Sequence, residues 1–117
     1  MKMILLVDDD ISFLKILTYS LNDKKNNIIT ASCVEEAIDK INNVKFDLII
    51  SDYNMGNDNG LSILKNLRNN NDNAKFIMLT GNDSSELQYM VEQQDGIFLD
   101  KGNLNLLKKI KEEISKL

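Results

Sequence analysis

Polar residues of three chemical types stand at the ends of four short apolar runs in this sequence. They are the acidic residues Asp8, Asp9, Asp10 and Asp52, the hydroxyl residue Thr80 and the basic residue Lys101. Clustered carboxylates repel one another unless some are protonated or a cation joins them, and Mg²⁺ suits such all-oxygen sites. A metal ion, a lysine and a hydroxyl group beside a carboxylate could together bind a phosphoryl group. One of the aspartates would then be the nucleophile that accepts it.

The apolar runs have the length and composition of buried parallel strands. They are Met3–Val7, Asn27–Ala31, Phe46–Ile50, Phe76–Leu79 and Ile97–Leu99. A segment with apolar residues at helical spacing follows each run, so the order predicts a doubly wound (βα)5 arrangement of the α/β class, with helices on both faces of a parallel sheet. The carboxyl ends of parallel strands lie at one edge, which would bring the polar residues into one pocket.

Five apolar stripes at helical spacing define the helices. They are Phe13, Leu14, Leu17 and Leu21; Val34, Ala37, Ile38 and Ile41; Leu61, Leu64 and Leu67; Leu87, Met90 and Val91; and Leu106, Leu107, Ile110 and Ile114. Start signals accompany three of them. Asp10 directly precedes the first helix and is predicted to be its N-cap. The patterns Ser32-x-x-Glu35 and Asp83-x-x-Glu86 predict capping boxes for the second and fourth helices.

Length and composition exclude several functions. A chain of 117 residues forms a single domain, here residues 1–117. With 14 basic and 18 acidic residues it is a poor candidate for binding nucleic acid by itself. No apolar run approaches the roughly 20 residues of a membrane span, and no signal peptide is visible, so we expect a cytoplasmic protein. The absence of histidine excludes a histidine-dependent triad, and with the single Cys33 it argues against zinc.

The whole chain resembles the receiver domain of two-component response regulators, single-domain chemotaxis receivers included. The matching motifs are Leu6-Val7-Asp8-Asp9, Asp52-Tyr53-Asn54-Met55, Asp58-Asn59-Gly60, Leu79-Thr80-Gly81 and Phe98-Leu99-Asp100-Lys101. The resemblance implies a flavodoxin-like fold with strand order 2-1-3-4-5. It also implies a phosphorylation-operated switch that receives its phosphoryl group from a sensor histidine kinase or a phosphotransfer protein.

The resemblance further implies a role for each matching residue at the acidic edge. Asp52 would be the phosphoacceptor. Mg²⁺ would be held by Asp8, Asp9, Asp52 and the main-chain carbonyl group of Asn54, with Asp9 the more direct ligand and Asp8 acting largely through water.

Other matching residues would transmit the signal. Thr80 and Lys101 correspond to the switch hydroxyl and to the lysine that pairs with the phosphoryl group. Phe98 corresponds to the aromatic residue that rotates inward, which would alter the surface of the fourth helix, fifth strand and fifth helix. Tyr89 or Met90 would then face a protein partner, unless Met90 is simply part of the core.

Two glycines stand where the family usually has proline: Gly56 follows Met55, and Gly102 follows Lys101. A cis peptide bond costs roughly 2.5–4 kcal/mol without proline and roughly 0.5–1 kcal/mol with it. We therefore expect a trans Lys101–Gly102 bond, with Gly102 in an unusual backbone conformation and Lys101 still directed at Asp52.

Two smaller departures concern the switch residues. Gly81 replaces the usual alanine after the switch hydroxyl and should leave access for a phosphoryl group. The pair Asp95-Gly96 lies one position earlier than expected, which leaves Ile97 as an alternative to Phe98 for the aromatic position.

Two other functions fit the sequence less well than the switch does. A Mg²⁺-dependent phosphohydrolase with an aspartyl-phosphate intermediate would typically have an acid–base aspartate where this chain has Asn54, and 117 residues leave no room for a cap over the substrate. A flavodoxin-like nucleotide binder would need a glycine-rich first loop, which here is acidic. We therefore predict a binding switch and not a turnover enzyme. It would be either a stand-alone receiver or a receiver from a larger regulator or hybrid kinase.

Overall fold

A computed structural model describes residues 1–81 and 84–117, in which strands and helices alternate. The strands of the main sheet are β1 (Lys2–Val7), β2 (Asn26–Ala31), β3 (Leu48–Asp52), β4 (Lys75–Thr80) and β5 (Ile97–Asp100). The helices are α1 (Ile11–Leu21), α2 (Val34–Asn43), α3 (Gly60–Asn69), α4 (Ser85–Gln93) and α5 (Leu106–Ser115). Asn54–Met55 and Asp58–Asn59 pair as a short antiparallel hairpin between β3 and α3.

The main sheet is parallel throughout, with the strand order β2-β1-β3-β4-β5. This confirms the doubly wound (βα)5 arrangement and the order 2-1-3-4-5. The register aligns Val7 of β1 with Ala31 and Ser51, and Thr80 of β4 with Asp100 of β5. The carboxyl ends of the strands therefore form one edge.

Two layers of helices cover the sheet because side chains alternate along each strand. In β1, Ile4 and Leu6 pack with the apolar residues of α1 and α5, whereas Leu5 and Val7 pack with those of α2, α3 and α4. All four side chains are buried. The near-continuous apolar runs of the central strands follow from this burial on both faces.

The strand boundaries differ from the prediction by one or two residues. The largest difference is in β3, which begins at Leu48, while Phe46 is buried ahead of the strand. At the other end β3 includes Asp52, and the N–H group of Tyr53 donates to the carbonyl oxygen of Leu79 at 2.8 Å. Main-chain pairing to β4 thus continues up to the proposed site.

The capping prediction is confirmed for α1 and wrong by one residue for α2. The Asp10 carboxylate accepts from the N–H group of Phe13 at 3.1 Å. In α2 the N-cap is Cys33 and not Ser32, because the Cys33 sulfur accepts from the N–H group of Glu36 at 3.5 Å. The Ser32 hydroxyl instead donates to the Glu36 carboxylate at 3.4 Å.

The predicted capping box at Asp83 lies outside the described residues. The N-cap of α4 is Ser84, whose hydroxyl oxygen accepts from the N–H group of Leu87 at 3.2 Å. Two residues of the predicted apolar stripes are not core residues, because Met90 and Leu107 are each 37% exposed.

The two glycines that replace proline behave differently. Within residues 1–81 and 84–117 there is no cis peptide bond, so the trans prediction for Lys101–Gly102 is confirmed. Gly102 does not have positive φ, so the unusual conformation expected there is not the left-handed one. Gly56 does have a left-handed backbone, with φ of 62°, and proline cannot adopt that conformation.

None of the helices in the described part of the chain is long and apolar enough to cross a bilayer.

Candidate functional site

Three carboxylates meet at the carboxyl edge of the sheet. Asp8 follows β1 and Asp52 ends the adjacent strand β3, and each of Asp8, Asp9 and Asp52 offers an oxygen atom within 4.8 Å of the other two. Asp8 is 2% exposed and Asp52 is 9% exposed, whereas Asp9 is exposed to solvent. The fold therefore brings two buried acids and one exposed acid into a single cluster.

Lys101 follows β5 and reaches across the edge to this cluster. Its Nζ atom lies 2.7 Å from Oδ2 of Asp8 and 3.8 Å from Oδ1 of Asp52. It also lies 4.2 Å from the centroid of the Phe13 ring, a distance at which cation–π attraction operates. Lys101 is thus directed at Asp52 as predicted, although its shorter contact is with Asp8.

The electrostatic environment of Asp52 is unfavourable for its negative charge. The pKa of the Asp52 carboxyl group is raised from 3.8 to about 6, first because the group is buried and second because the Asp8 carboxylate lies beside it. Lys101 and the main-chain amide group of Tyr53 act in the opposite direction but do not restore the ordinary pKa. A strongly perturbed carboxyl group at the end of a strand is a typical feature of a functional site.

Thr80 and Phe98 lie on the same face of the sheet. Met78 is paired with Phe98, and both pack with the core on the side of α2, α3 and α4. Thr80 is two residues beyond Met78 on β4 and shares its face; it is 1% exposed. Ile97 packs on the opposite face, with α1 and α5. Phe98, and not Ile97, is therefore on the side of the sheet that faces α4.

Asp10 helps to orient Asp8 and is not itself part of the carboxylate cluster. Its side chain caps α1, while its main-chain N–H group donates to Oδ1 of Asp8 at 2.9 Å. Asp8 is thereby held between the Asp10 amide group and the Lys101 ammonium group, which fixes the orientation of its carboxylate.

Gly60 has a steric role that the sequence indicated only through the family motif. A Cβ atom at Gly60 would lie 2.6 Å from the main-chain oxygen of Asp52 and 2.9 Å from Oγ of Ser51. The start of α3 can therefore approach the end of β3 only because residue 60 has no side chain. Ser51, which is fully buried, donates from its hydroxyl group to the same Asp52 oxygen at 2.9 Å.

The donor set fits a hard divalent cation. Asp8, Asp9 and Asp52 supply carboxylate oxygens within one cluster, and Mg²⁺ is bound through one or two carboxylates together with waters. Asn54 lies two residues after Asp52, in the short hairpin, with an exposed side chain.

Comparison with known proteins identifies the family. The profile described as "Response regulator receiver domain" matches residues 4–112. The chain belongs to this family. Receiver domains are the phosphorylation-operated switches of two-component systems, and the switch function predicted from the sequence is thereby confirmed.

Solved receiver structures agree closely with this one. The chemotaxis protein CheY4 of Vibrio cholerae is 30% identical, with a TM-score of 0.84 over 96% of this chain and 98% of that one. The response regulator protein TrrA of Thermotoga maritima, solved in complex with Mg²⁺ and BeF, is 29% identical, with a TM-score of 0.84 over 99% and 98% of the two chains. Metal binding therefore occurs among related receiver structures.

The curated relatives are longer proteins. The alkaline phosphatase synthesis transcriptional regulatory protein PhoP of Bacillus subtilis is 38% identical over 82 residues, which are 70% of this chain and 34% of PhoP. The transcriptional regulatory protein GlrR of Escherichia coli is 32% identical over 95 residues, or 81% of this chain and 21% of GlrR. The receiver domain thus spans about a third of PhoP and about a fifth of GlrR.

Proposed function

We propose that Asp52 accepts a phosphoryl group from the phosphohistidine of a sensor histidine kinase or a phosphotransfer protein, and that the modified domain then changes its binding to a protein partner. The observation that carries this proposal is the cluster at the carboxyl edge. Asp52 is 9% exposed there and has Asp8, Asp9 and Lys101 around it. The reaction would take place in the cytoplasm, with no direct contact to nucleic acid or membrane.

The transfer needs one bond to form and one to break. A carboxylate oxygen of Asp52 attacks the phosphorus atom, and the phosphorus–nitrogen bond of the donor breaks. The electron pair leaves with the histidine nitrogen, which takes up a proton. Asp8, Asp9, Asp52 and the main-chain carbonyl group of Asn54 would hold Mg²⁺. When bound, this ion offsets the charge of the carboxylates and of the phosphoryl oxygens.

Two further residues of the edge would respond to the added charge. Lys101 lies between Asp8 and Asp52 and can pair with a phosphoryl oxygen on Asp52. The Thr80 hydroxyl group can donate to another phosphoryl oxygen. Movement of Thr80 toward Asp52 would leave space for Phe98, which shares its face of the sheet.

The proposed binding surface is formed by α4, β5 and α5. Tyr89 of α4 is 63% exposed and Met90 is 37% exposed, so both are accessible to a partner. Apolar side chains of this size contribute strongly when a partner buries them.

The test is phosphorylation of the purified chain by acetyl phosphate in the presence of Mg²⁺. Intact mass should increase by one phosphoryl group in the wild type, and Asp52→Asn should abolish the increase because the nucleophilic oxygen is lost. Asp58→Asn is the matched control, since Asp58 is an exposed carboxylate in the adjoining hairpin. We expect this control to be phosphorylated like the wild type.

Phosphate release in the same reactions separates the switch from the phosphohydrolase alternative. A switch gives stoichiometric labelling, whereas a phosphohydrolase would turn over the donor repeatedly. Full labelling of Asp52→Asn would contradict the assignment of the acceptor, and rapid multiple turnover by the wild type would favour the enzyme.

A further inference from the structure

Arg68 is the only arginine of the chain, and its guanidinium group binds four main-chain carbonyl oxygens. The Nε atom donates to Gln94 at 2.7 Å, and Nη2 donates to Asp95 at 3.3 Å. The Nη1 atom donates to Asp72 at 2.8 Å and to Ala74 at 2.9 Å. Arg68 is located in α3, so a single side chain connects the turn after α3 with the turn after α4.

The turn after α4 is tightly built. Asp95 has a left-handed backbone with φ of 56°, and the N–H group of Gly96 donates to the carbonyl oxygen of Val91 at 2.9 Å. A Cβ atom at Gly96 would lie 2.7 Å from Cγ1 of Val91. This is the Schellman arrangement of a helix C-terminus, with a non-glycine residue in the left-handed position.

The turn after α3 has the same arrangement. Asn71 has φ of 57°, and the N–H group of Asp72 donates to the carbonyl oxygen of Leu67 at 2.9 Å. The Arg68 guanidinium group lies between these two turns. It satisfies the carbonyl group of Gln94, the C-cap of α4, which a helix end leaves unpaired, and three carbonyl groups of the turns that follow the two helices. Its positive charge is also favourable beside the negative ends of two helix dipoles.

Arginine is specifically suited to this position. Its planar group presents five donors in a fixed geometry, and four acceptors from two separate turns surround it. A lysine would offer a single ammonium group that cannot reach both turns in the same geometry. All four acceptors are neutral carbonyl groups, so the contact depends on hydrogen-bond geometry more than on an opposite charge.

The other end of α4 is held differently. The helix begins at Ser85, close in sequence to Thr80, and its N-cap is the hydroxyl group of Ser84. We propose that Arg68 is a positioning residue that fixes the C-terminal end of α4, so that a response at Thr80 moves the N-terminal end of the helix and not the helix as a whole. This inference rests on the proposed function, because it concerns how the switch is transmitted.

The first arm of the test needs no phosphoryl group. Amide hydrogen exchange is measured by NMR on the full chain for the wild type, Arg68→Met and Lys65→Met. Lys65 is an exposed lysine on the same helix, so its variant controls for the loss of a cation from α3. We expect protection of the Gly96 amide to fall by about tenfold in Arg68→Met, because charge-assisted hydrogen bonds are lost, and to be unchanged in Lys65→Met.

The second arm adds Mg²⁺ and beryllofluoride as a mimic of the phosphoryl group. In the wild type, amide shift changes should be several-fold larger over residues 84–88 than over residues 94–96. In Arg68→Met the two segments should respond to a similar extent. Arg68→Lys, which keeps the charge but not the planar group, should resemble Arg68→Met and serves as the second variant if Arg68→Met does not fold.

The outcomes separate this inference from the proposed function. Unchanged Gly96 protection in Arg68→Met, or an equal loss in Lys65→Met, would overturn the role of Arg68. So would equal responses of residues 84–88 and 94–96 in the wild type. A mimic that shifts no amide signal at Thr80 or Lys101 would instead contradict the proposed function.

Discussion

Two acidic residues at opposite edges of the sheet, each beside a lysine, have opposite pKa shifts. At the carboxyl edge, Asp52 lies 3.8 Å from Lys101, and burial raises its pKa to about 6. At the amino edge, Glu113 accepts a 2.8 Å hydrogen bond from Lys75, which lowers its pKa. A neighbouring lysine is therefore not sufficient to keep the pKa of an acid at or below its ordinary value.

Burial and the balance of charge together explain the difference, because burial is the largest cause of the raised pKa of Asp52 and the Asp8 carboxylate is the next. Glu113 has two lysines near it, because Lys116 also lies 3.2 Å from its carboxylate. Asp52 shares one lysine with Asp8, and the three-carboxylate cluster has more negative charge than Lys101 can offset. The charge of Glu113 at the amino edge is thus offset by two lysines, whereas the carboxyl edge keeps an excess of negative charge that a bound cation would offset.

The largest effect expected from this comparison is on metal affinity. Asp9→Ala removes a carboxylate from the cluster and leaves Asp52 in place, so we expect Mg²⁺ affinity to fall by about 100-fold, the upper end of what loss of a group supporting a metal costs. Isothermal titration calorimetry with Mg²⁺ measures it.

Asp10→Ser is the matched control for that variant. It removes a carboxylate from the same loop, while serine is as good an N-cap for α1 as aspartate. Its Mg²⁺ affinity should stay close to that of the wild type. Equal affinity of Asp9→Ala and the wild type would contradict the assignment of Asp9 as a ligand.

A smaller effect is expected on stability in the absence of metal. At pH 7.5 with EDTA, Asp52→Asn should increase the free energy of unfolding by roughly 2–3 kcal/mol, because the pKa of Asp52 is raised from 3.8 to about 6 and one pKa unit corresponds to about 1.36 kcal/mol. The folded state binds a proton on Asp52 more tightly than the unfolded state does, so the wild type loses stability as pH rises from 3.8 to about 6.

The stability difference between Asp52→Asn and the wild type should therefore be fully present above pH 6 and vanish near pH 4. Urea unfolding followed by circular dichroism at several pH values measures it. If Asp52→Asn were less stable than the wild type at pH 7.5, the ionised Asp52 carboxylate would not be destabilising the folded state.

The smallest effect is expected at the amino edge and has the opposite sign. Glu113→Gln should lower the free energy of unfolding by roughly 0.5 kcal/mol, as for partly exposed ion pairs. Since the folded pKa of Glu113 is lowered, this contribution is present above pH 4.5 and is lost as pH falls through the folded pKa. Urea unfolding of Glu113→Gln and of Asp52→Asn is measured at the same pH values. It tests whether the two substitutions change the free energy of unfolding in opposite directions.

The contacts within the site were less predictable than its composition. The sequence indicated that Lys101 would approach Asp52, but its contact with Asp8 at 2.7 Å and its position over the Phe13 ring depend on side chains from separate elements. Phe13 was predicted only as part of an apolar stripe. The approach of Gly60 to Asp52 likewise depends on how α3 packs against β3.

The residues at which helices begin were also harder to predict than the order of the helices and strands. The N-cap of α2 is Cys33 and not Ser32, because a difference of one residue in the start of a helix changes which side chain faces the free N–H groups. Met90 and Leu107 have helical spacing typical of core residues, yet each lies at the margin of its apolar face and is 37% exposed.

The sequence alone determined the arrangement of the sheet and the edge at which the polar residues lie. The parallel polarity of the strands follows from apolar runs that alternate with helical stripes, and parallel strands end on one side for a geometric reason. The strand order followed only from the resemblance to receiver domains. Only the tertiary structure decided how charge is distributed there. The raised pKa of Asp52, the sharing of Lys101 and the four contacts of Arg68 depend on burial and on distances between elements far apart in the chain. Electrostatic and hydrogen-bond energies change steeply with such distances. The spacing of residues along the sequence does not give these distances.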